Sequence, residues 1–244
     1  SKKLINIDDK VVKFNPINAF TYSFKNSSNF KVLKYELKDS MNVEFLYENK
    51  NYKFSTNMMG IFNIYNLLGA ISAVYITTNE KLENICKVVE KFSSISGRME
   101  VVSTKPLVIV DFAHTPDGMD EVLKSFPNKE IICVFCFCGN RDSLKRPLMG
   151  EVAKKYSKHI VVTSDNPRFE EPKKIIEDIL NGINDKSNVI VIEDRKEALK
   201  KAINLANDKS VVLILGKGDE SAQIIGDKKF EFSDKDEVLK ILET

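Results

Sequence analysis

Hydrophobic positions follow two rhythms along the chain. In the first part, Val43-Glu44-Phe45-Leu46-Tyr47 and Tyr52-Lys53-Phe54 flank the polar stretch 48–51, an alternation that predicts a β-hairpin. From Gly60 to Thr78, Phe62, Tyr65, Leu68, Ile71 and Tyr75 recur at helical spacing with the small Ala70 and Ala73 between them, which predicts a helix. A second helix is expected over 80–92 with Asn79 as its N-cap, followed by a linker at 93–97.

From Glu100 onwards, short unbroken apolar runs alternate with amphipathic stretches. Strands are predicted over 107–111, 131–135, 159–163, 189–192 and 211–215, and helices over 117–125, 144–156, 172–183 and 196–206. Gly226-Asp227 should close a hairpin between Ile224-Ile225 and the segment 229–232, and a last helix should span 234–242. Continuous apolar strands separated by amphipathic helices indicate an α/β fold. The expected form is a Rossmann-like, mostly parallel sheet with helices on both faces. In such open sheets ligands sit beyond the carboxyl ends of the strands.

Composition changes this picture little. Thirty-seven basic and 35 acidic residues are mixed along 244 positions for a net charge of +2, which gives no nucleic-acid footprint. No apolar run approaches the roughly 18 residues of a membrane span, so no membrane insertion is expected. The start, Ser1-Lys2-Lys3-Leu4-Ile5-Asn6, has no signal-peptide pattern, and four cysteines suit reduced thiols in the cytoplasm.

Candidate chemistry lies directly after the predicted strands. The run 107–110 leads into Asp111-Phe112-Ala113-His114-Thr115-Pro116-Asp117, and 131–135 leads towards Gly139-Asn140-Arg141-Asp142. The run 161–163 leads into Ser164-Asp165-Asn166-Pro167-Arg168, and 213–215 into Gly216-Lys217-Gly218-Asp219-Glu220. Each cluster alone is compatible with a capped turn. Two arginines and several carboxylates on one edge suit a zwitterion, since a guanidinium pairs with a carboxylate and a carboxylate with an ammonium. Gly216-Lys217-Gly218 is not a phosphate-binding Walker loop, which needs four residues between its glycine and Gly-Lys-Ser/Thr. His114 is read equally as a general base or a turn-stabilising residue, and His159 as structural. Cys133, Cys136, Cys138 and Cys86 are read as free thiols rather than metal ligands, because a straight strand points Cys133 away from the other two.

In this order the clusters resemble the Mur ligase family, most closely its muramyl-tripeptide synthetases. Those proteins carry a run like Gly97-Arg98-Met99-Glu100, then Asp-Tyr-Ala-His-Thr-Pro-Asp (here Asp111 to Asp117) and Gly-Asp-Arg-Asp (Gly139 to Asp142). Lys-Arg-Pro-Leu-Met follows as Lys145 to Met149, Asp-Asn-Pro-Arg as Asp165 to Arg168, and Gly-Lys-Gly-His-Glu as Gly216 to Glu220. Asn6-Ile7-Asp8-Asp9 is similar to a stretch of the family's central ATPase domain, and Gly60 to Ala70 to its Gly-x-Phe-Asn-x-Tyr-Asn-Leu-Leu helix. The resemblance implies that residues 1–96 are the C-terminal portion of the central ATP-binding domain and 97–244 the C-terminal, amino-acid-binding domain. The P-loop and carbamylated lysine would lie upstream of Ser1, so the chain alone is expected to be inactive and to hold no catalytic residue or metal ligand of its own.

The same resemblance implies ATP and magnesium as cofactors, with UDP-MurNAc-L-Ala-D-Glu and a diamino acid as the substrates joined through an acyl phosphate. It assigns Asn6, Arg98 and Asp111 to the nucleotide. Arg141, Asn166, Arg168, Gly216 and Glu220 go to the incoming amino acid, with His114 and Asp165 as further candidates. The arginine of Asp-Asn-Pro-Arg implies meso-diaminopimelate rather than lysine, because only the former has a second carboxylate for Arg168. Asp219 in place of a histidine, Asn140 in place of an aspartate, and Phe137-Cys138 where Gly-Cys-Gly is usual depart from the pattern. They leave a related diamino diacid such as lanthionine open. The alternatives are a folylpolyglutamate synthetase-like ligase, and a non-catalytic α/β module that binds an amino acid or nucleotide.

Overall fold

The predicted hairpin forms with a tighter turn than the polar stretch 48–51 suggests. In the computed structural model, which describes residues 2–9, 18–37, 40–92 and 95–243, strands β4 (Met41–Tyr47) and β5 (Lys50–Thr56) pair antiparallel from Met41↔Thr56 to Tyr47↔Lys50. Only Glu48 and Asn49 turn, both with positive φ (47° and 61°), as a two-residue hairpin loop requires. Three strands precede them: β1 (Leu4–Asn6), β2 (Phe20–Ser23) and β3 (Phe30–Leu37). The five-stranded sheet runs β1-β2-β3-β4-β5, parallel between its first three members and antiparallel thereafter.

Helices α1 (Ile61–Thr77) and α2 (Leu82–Glu90) cover this sheet. Ile64, Leu67, Leu68 and Ile71 of α1, with Leu82, Ile85, Cys86 and Val89 of α2, bury against Phe30, Val32, Val43, Phe45 and Phe54. The expectation that Asn79 caps α2 is corrected. The helix starts two residues later than expected, after Lys81, without a side-chain cap. Glu80 instead ties the approach to the helix, its carboxylate accepting the Lys81 amide (2.9 Å) and the Asn84 side chain (2.7 Å). Of the expected linker 93–97, residues 93 and 94 lie outside the described residues.

The chain divides into two compact units, 1–94 and 95–244. The second is built on a six-stranded sheet of order β10-β9-β8-β11-β7-β6. Its members are β6 (Glu100–Thr104), β7 (Leu107–Asp111), β8 (Glu130–Phe135), β9 (Ser157–Val162), β10 (Val189–Val191) and β11 (Ser210–Leu215). All neighbours are parallel except β6 on β7. Apart from Leu107 at the start of β7, the Val, Ile and Leu of β7, β8, β9 and β11 are almost wholly buried, as strands with both faces covered must be.

Helices α3 (Pro116–Leu123), α4 (Lys145–Tyr156) and α5 (Pro172–Leu180) pack side by side, with α4 against β9. Helices α6 (Arg195–Leu205) and α7 (Asp234–Leu242) form the other layer. There Ala198, Leu199, Ala202 and Val238 meet Val108, Val110, Ile132, Val134, Val212 and Ile214. Thr115, Asp194 and Ser233 cap α3, α6 and α7 through hydrogen bonds from Gly118, Glu197 and Asp236 amides. The hairpin β12 (Ala222–Ile225) and β13 (Lys228–Glu231) turns at Gly226 (φ 57°) and touches the loop after β9 through an isolated Arg168–Ile225 bridge.

Because β11 inserts between β8 and β7, the carboxyl ends of β9, β8, β11 and β7 stand next to one another. All four motif-bearing loops therefore leave the same edge in adjacent positions, where the strand order reverses.

Candidate functional site

At the ends of β9 and β11 a charged network is sunk below the rim. Asp165 and Asn166 are each 2% exposed and Lys217 is wholly buried. The Lys217 ammonium donates to Asp165 Oδ1 (3.0 Å) and to the Ala222 carbonyl (2.5 Å), and lies 3.5 Å from Glu220 Oε2. Asn166 joins the same atom from the side, its Nδ2 donating to Glu220 Oε2 at 2.8 Å while its Oδ1 accepts the Ile224 amide. Glu220 alone of this group reaches the surface, with its side chain 40% exposed. Gly216, at the strand exit, has φ 113°, a conformation that L side chains rarely adopt. Its amide donates to the Asp111 carbonyl, tying the β11 exit to the β7 exit.

Beside this network the loops after β8 and β9 are locked together. The Gly139 amide donates to the Asn166 carbonyl (2.9 Å), and a Cβ on Gly139 would stand 1.9 Å from the Pro167 carbonyl oxygen. Asn140, at φ 57°, accepts the Phe169 amide (3.3 Å). Arg146 underpins both loops from inside, pairing with Glu170 and Asp178 at 2.8 Å each while 1% exposed. Arg141 and Arg168 project from these two loops. Arg141 is exposed and Arg168 half-buried, and neither guanidinium has a carboxylate partner among the described residues. The Arg168 backbone, at φ 54°, is fixed to the β12 hairpin by its amide to Ile224 and its carbonyl to Gly226.

Cys138 lies within this cluster, its Sγ 3.5 Å from Asp165 Oδ2. Burial and the neighbouring Asp165 carboxylate push its thiol up to about 12. Among the described residues no group of His, Cys, Asp and Glu side chains converges as a metal site.

The β7 exit is arranged differently. Arg98 is exposed and its guanidinium lies 4.1 Å over the Phe112 ring, while the His114 ring meets the same phenyl edge-on at 4.6 Å. His114 Nδ1 is 2.9 Å from the Phe112 carbonyl, and Thr115 and Pro116 open α3 immediately after it. That is the turn-stabilising geometry. Asp111, 6% exposed, accepts the Met99 amide (2.7 Å) and the Ala113 amide (2.8 Å), one on each oxygen. Burial raises its pKa, against the pull of those amides and of the Arg98 charge. In this structure Asp111 braces the Arg98 segment.

Gly97 packs so closely on the β11 exit that a Cβ there would fall 2.0 Å from the Asp219 amide nitrogen. Asn6 sits in the other unit at the end of β1, where its side chain accepts the Asp8 amide (3.1 Å).

The structure thus gathers Arg141, Asp165, Asn166, Arg168, Gly216 and Glu220 on adjoining loops, with Arg98, Asp111 and His114 at the neighbouring strand end. Lys217, Arg146 and Arg195 escaped the sequence reading. A lone lysine or arginine reads as solvated, and only the fold shows these three to be almost wholly buried and paired. The available signal was position, since Lys217 follows an unbroken apolar strand and is hemmed by two glycines.

Comparison with known proteins identifies relatives of this fold. The family model for the Mur ligase middle domain matches residues 1–74, and that for the Mur ligase glutamate ligase domain matches residues 97–218. The UDP-N-acetylmuramoyl-L-alanyl-D-glutamate–2,6-diaminopimelate ligase of Wolinella succinogenes is 44% identical over 240 residues, covering 98% of this chain and 55% of the relative. The enzyme of the same name from Helicobacter pylori is 43% identical, with the same coverage of both chains. A solved structure of a ligase of that name superposes with a TM-score of 0.66 at 31% identity, over 98% of this chain and 52% of that one. The MurF ligase of Thermotoga maritima, solved with ADP, shares the fold at a TM-score of 0.70 and 15% identity. The chain spans about half the length of the curated relatives it matches. Two family models in sequence over most of the chain, on a fold shared with these ligases, show that the chain belongs to the Mur ligase family.

Proposed function

We propose that this chain is the amino-acid-accepting portion of an ATP-dependent, ADP-forming ligase. The ligase adds meso-diaminopimelate, or a closely similar diamino diacid, to UDP-MurNAc-L-Ala-D-Glu in peptidoglycan synthesis. Residues 97–244 serve as the amino-acid-binding domain, and 1–96 as the C-terminal portion of the central ATP-binding domain. The observation that carries this reading is the pair Arg141 and Arg168. Two guanidiniums without carboxylate partners stand beside a carboxylate, Glu220, whose Oε1 also lacks a hydrogen bond among the described residues. That arrangement matches a ligand end carrying one ammonium and one carboxylate.

In this reading the arginines hold the distal carboxylate, and Glu220, steadied by Asn166, takes the adjacent ammonium. The other amine is then free to attack. The D-glutamate side-chain carboxylate, phosphorylated by ATP, presents an acyl phosphate. The amine displaces phosphate and loses a proton as the amide bond forms. Holding the amine in line supplies the proximity that such a step needs. Asn6, Arg98 and Asp111 are assigned to the nucleotide, each within its own unit, and Asp111 also holds the segment after Arg98 through the Met99 amide. Magnesium, when bound, would neutralise charge on the transferring phosphoryl group; the described residues offer no cluster to hold it. Four free thiols fit a cytoplasmic setting.

The test is ADP release by the whole protein that carries this sequence, with the UDP-MurNAc-dipeptide and meso-diaminopimelate, lanthionine or lysine in parallel. Turnover with a diamino diacid and little with lysine is expected. Turnover with lysine alone would overturn the role of the arginines. No turnover with any of them would favour a binding module.

A further inference from the structure

Lys217 has no part in the reaction just described, yet it is wholly buried beside the residues that do. An ammonium withdrawn from water is tolerated only when paired and hydrogen-bonded. Its partners are Asp165 Oδ1 at 3.0 Å, the Ala222 carbonyl at 2.5 Å and Glu220 Oε2 at 3.5 Å. Two carboxylates therefore share one cation, and one negative charge is left over. The surroundings do not cancel it. Arg195 is taken up by Asp234 through two hydrogen bonds of 2.7 Å. Cys136 and Cys138, the thiols nearest Asp165, stay neutral because burial first, and Asp165 second, push both to about 12. Arg168 is near enough for its charge to act on Cys138, but it makes no ion pair with Asp165 or Glu220 among the described residues.

The surplus charge resides on the member that reaches the surface, Glu220. Its Oε2 is engaged by both Asn166 and Lys217, which leaves Oε1 without a hydrogen-bond partner among the described residues.

We propose that Lys217 is the positioning residue of the amino-acid pocket: by neutralising Asp165 and pinning the Oε2 edge of Glu220, it presents Glu220 Oε1 alone to the substrate's ammonium. The proposal rests on the amino-acid reading of this pocket. It differs from a purely structural role in one respect, that Lys217 acts on the amino acid through Glu220 and not on the nucleotide.

The experiment is a double-mutant cycle in the whole protein, with ADP release measured against varied diamino diacid and varied ATP for wild type, K217M, E220Q and K217M/E220Q. K217M is expected to raise KM for the diamino diacid about tenfold or more while KM for ATP stays within about twofold. In the E220Q background K217M should add no more than about twofold, because its route of action has been removed. Equal rises in both KM values, an unchanged diamino diacid KM, or multiplying effects of the two substitutions would overturn the proposal. Should K217M fail to fold by its thermal melt, K217Q, which keeps donors for Asp165 and Ala222, replaces it with the same expectation. Failure of both to fold would make Lys217 structural and end the proposal. A wild type without turnover would sink the amino-acid reading itself, whereas an active wild type with the wrong variant pattern sinks only the role of Lys217.

Discussion

Arg168 combines a half-buried side chain with a left-handed backbone held at both its amide and its carbonyl by the β12 hairpin. A guanidinium aimed by its own backbone in this way gives up little freedom on binding a carboxylate, and a site built for a carboxylate penalises the analogue without one. Arg168→Ala should lower kcat/KM for meso-diaminopimelate by about 10²–10⁴-fold and leave KM for ATP nearly unchanged. Equal use of diaminopimelate by variant and wild type would remove Arg168 from the site. The arginine and its motif were legible in the sequence, because motif and chemistry coincide at this position. Lys217 was not, since nothing local distinguishes a lysine that turns inward to Asp165 from one that turns to water. Asp111 shows the converse: its motif is plain, but its bracing of the Met99 and Ala113 amides is visible only in the fold.

Among the elements, legibility followed burial. Strands β7, β8, β9 and β11 are buried on both faces and read as unbroken apolar runs. In β3, Phe30 and Val32 are buried while Leu33 and Tyr35 are exposed and lysines intervene, so the run has no clean period. β1 and β2 are only three and four residues long. Leu4, Phe20 and Tyr22 pack these short strands on the core, and a polar knot joins their ends. Asp8, just past β1, accepts the Phe24 and Lys25 amides beyond β2, the Asn26 side chain and the Tyr65 hydroxyl of α1. Partial burial works to raise the pKa of Asp8, but these donors outweigh it and hold it at about 2. A folded-state pKa depressed below the unfolded value contributes stability that is complete above about pH 4 and disappears as pH falls through about 2. Asp8→Asn should therefore lower the urea midpoint at pH 6 and match the wild type near pH 2. An equal deficit at both pH values would show that charge is not what Asp8 contributes.

At the scale of the whole molecule, buried charge carries much of the connection between distant segments of the second unit. Arg195, at the start of α6, reaches Asp234 at the start of α7 and the Leu215 carbonyl at the end of β11. Both side chains of the pair are almost wholly buried, so screening does not weaken it. Arg195→Met would leave the Asp234 carboxylate without its cation and should cost about 3–5 kcal/mol, while the double change R195M/D234L should recover much of that. Urea unfolding distinguishes the two, and additive losses would mean the pair is not coupled.

The thiols report on both units at once. Burial lifts Cys86 in the first unit to about 11, and Cys133, Cys136 and Cys138 in the second to about 12. The thiolate is the reactive form, so at pH 8 ionisation alone should slow alkylation about 10²-fold at Cys86 and about 10³-fold at the other three, relative to a free thiol. Iodoacetamide labelling followed by peptide mass analysis should thus modify Cys86 first in the native chain and all four quickly in urea. Rapid native labelling of Cys138, the member of the three that is not fully buried, would show that access and not ionisation sets the rate there, and that the Asp165 carboxylate beside it does not hold the thiol neutral.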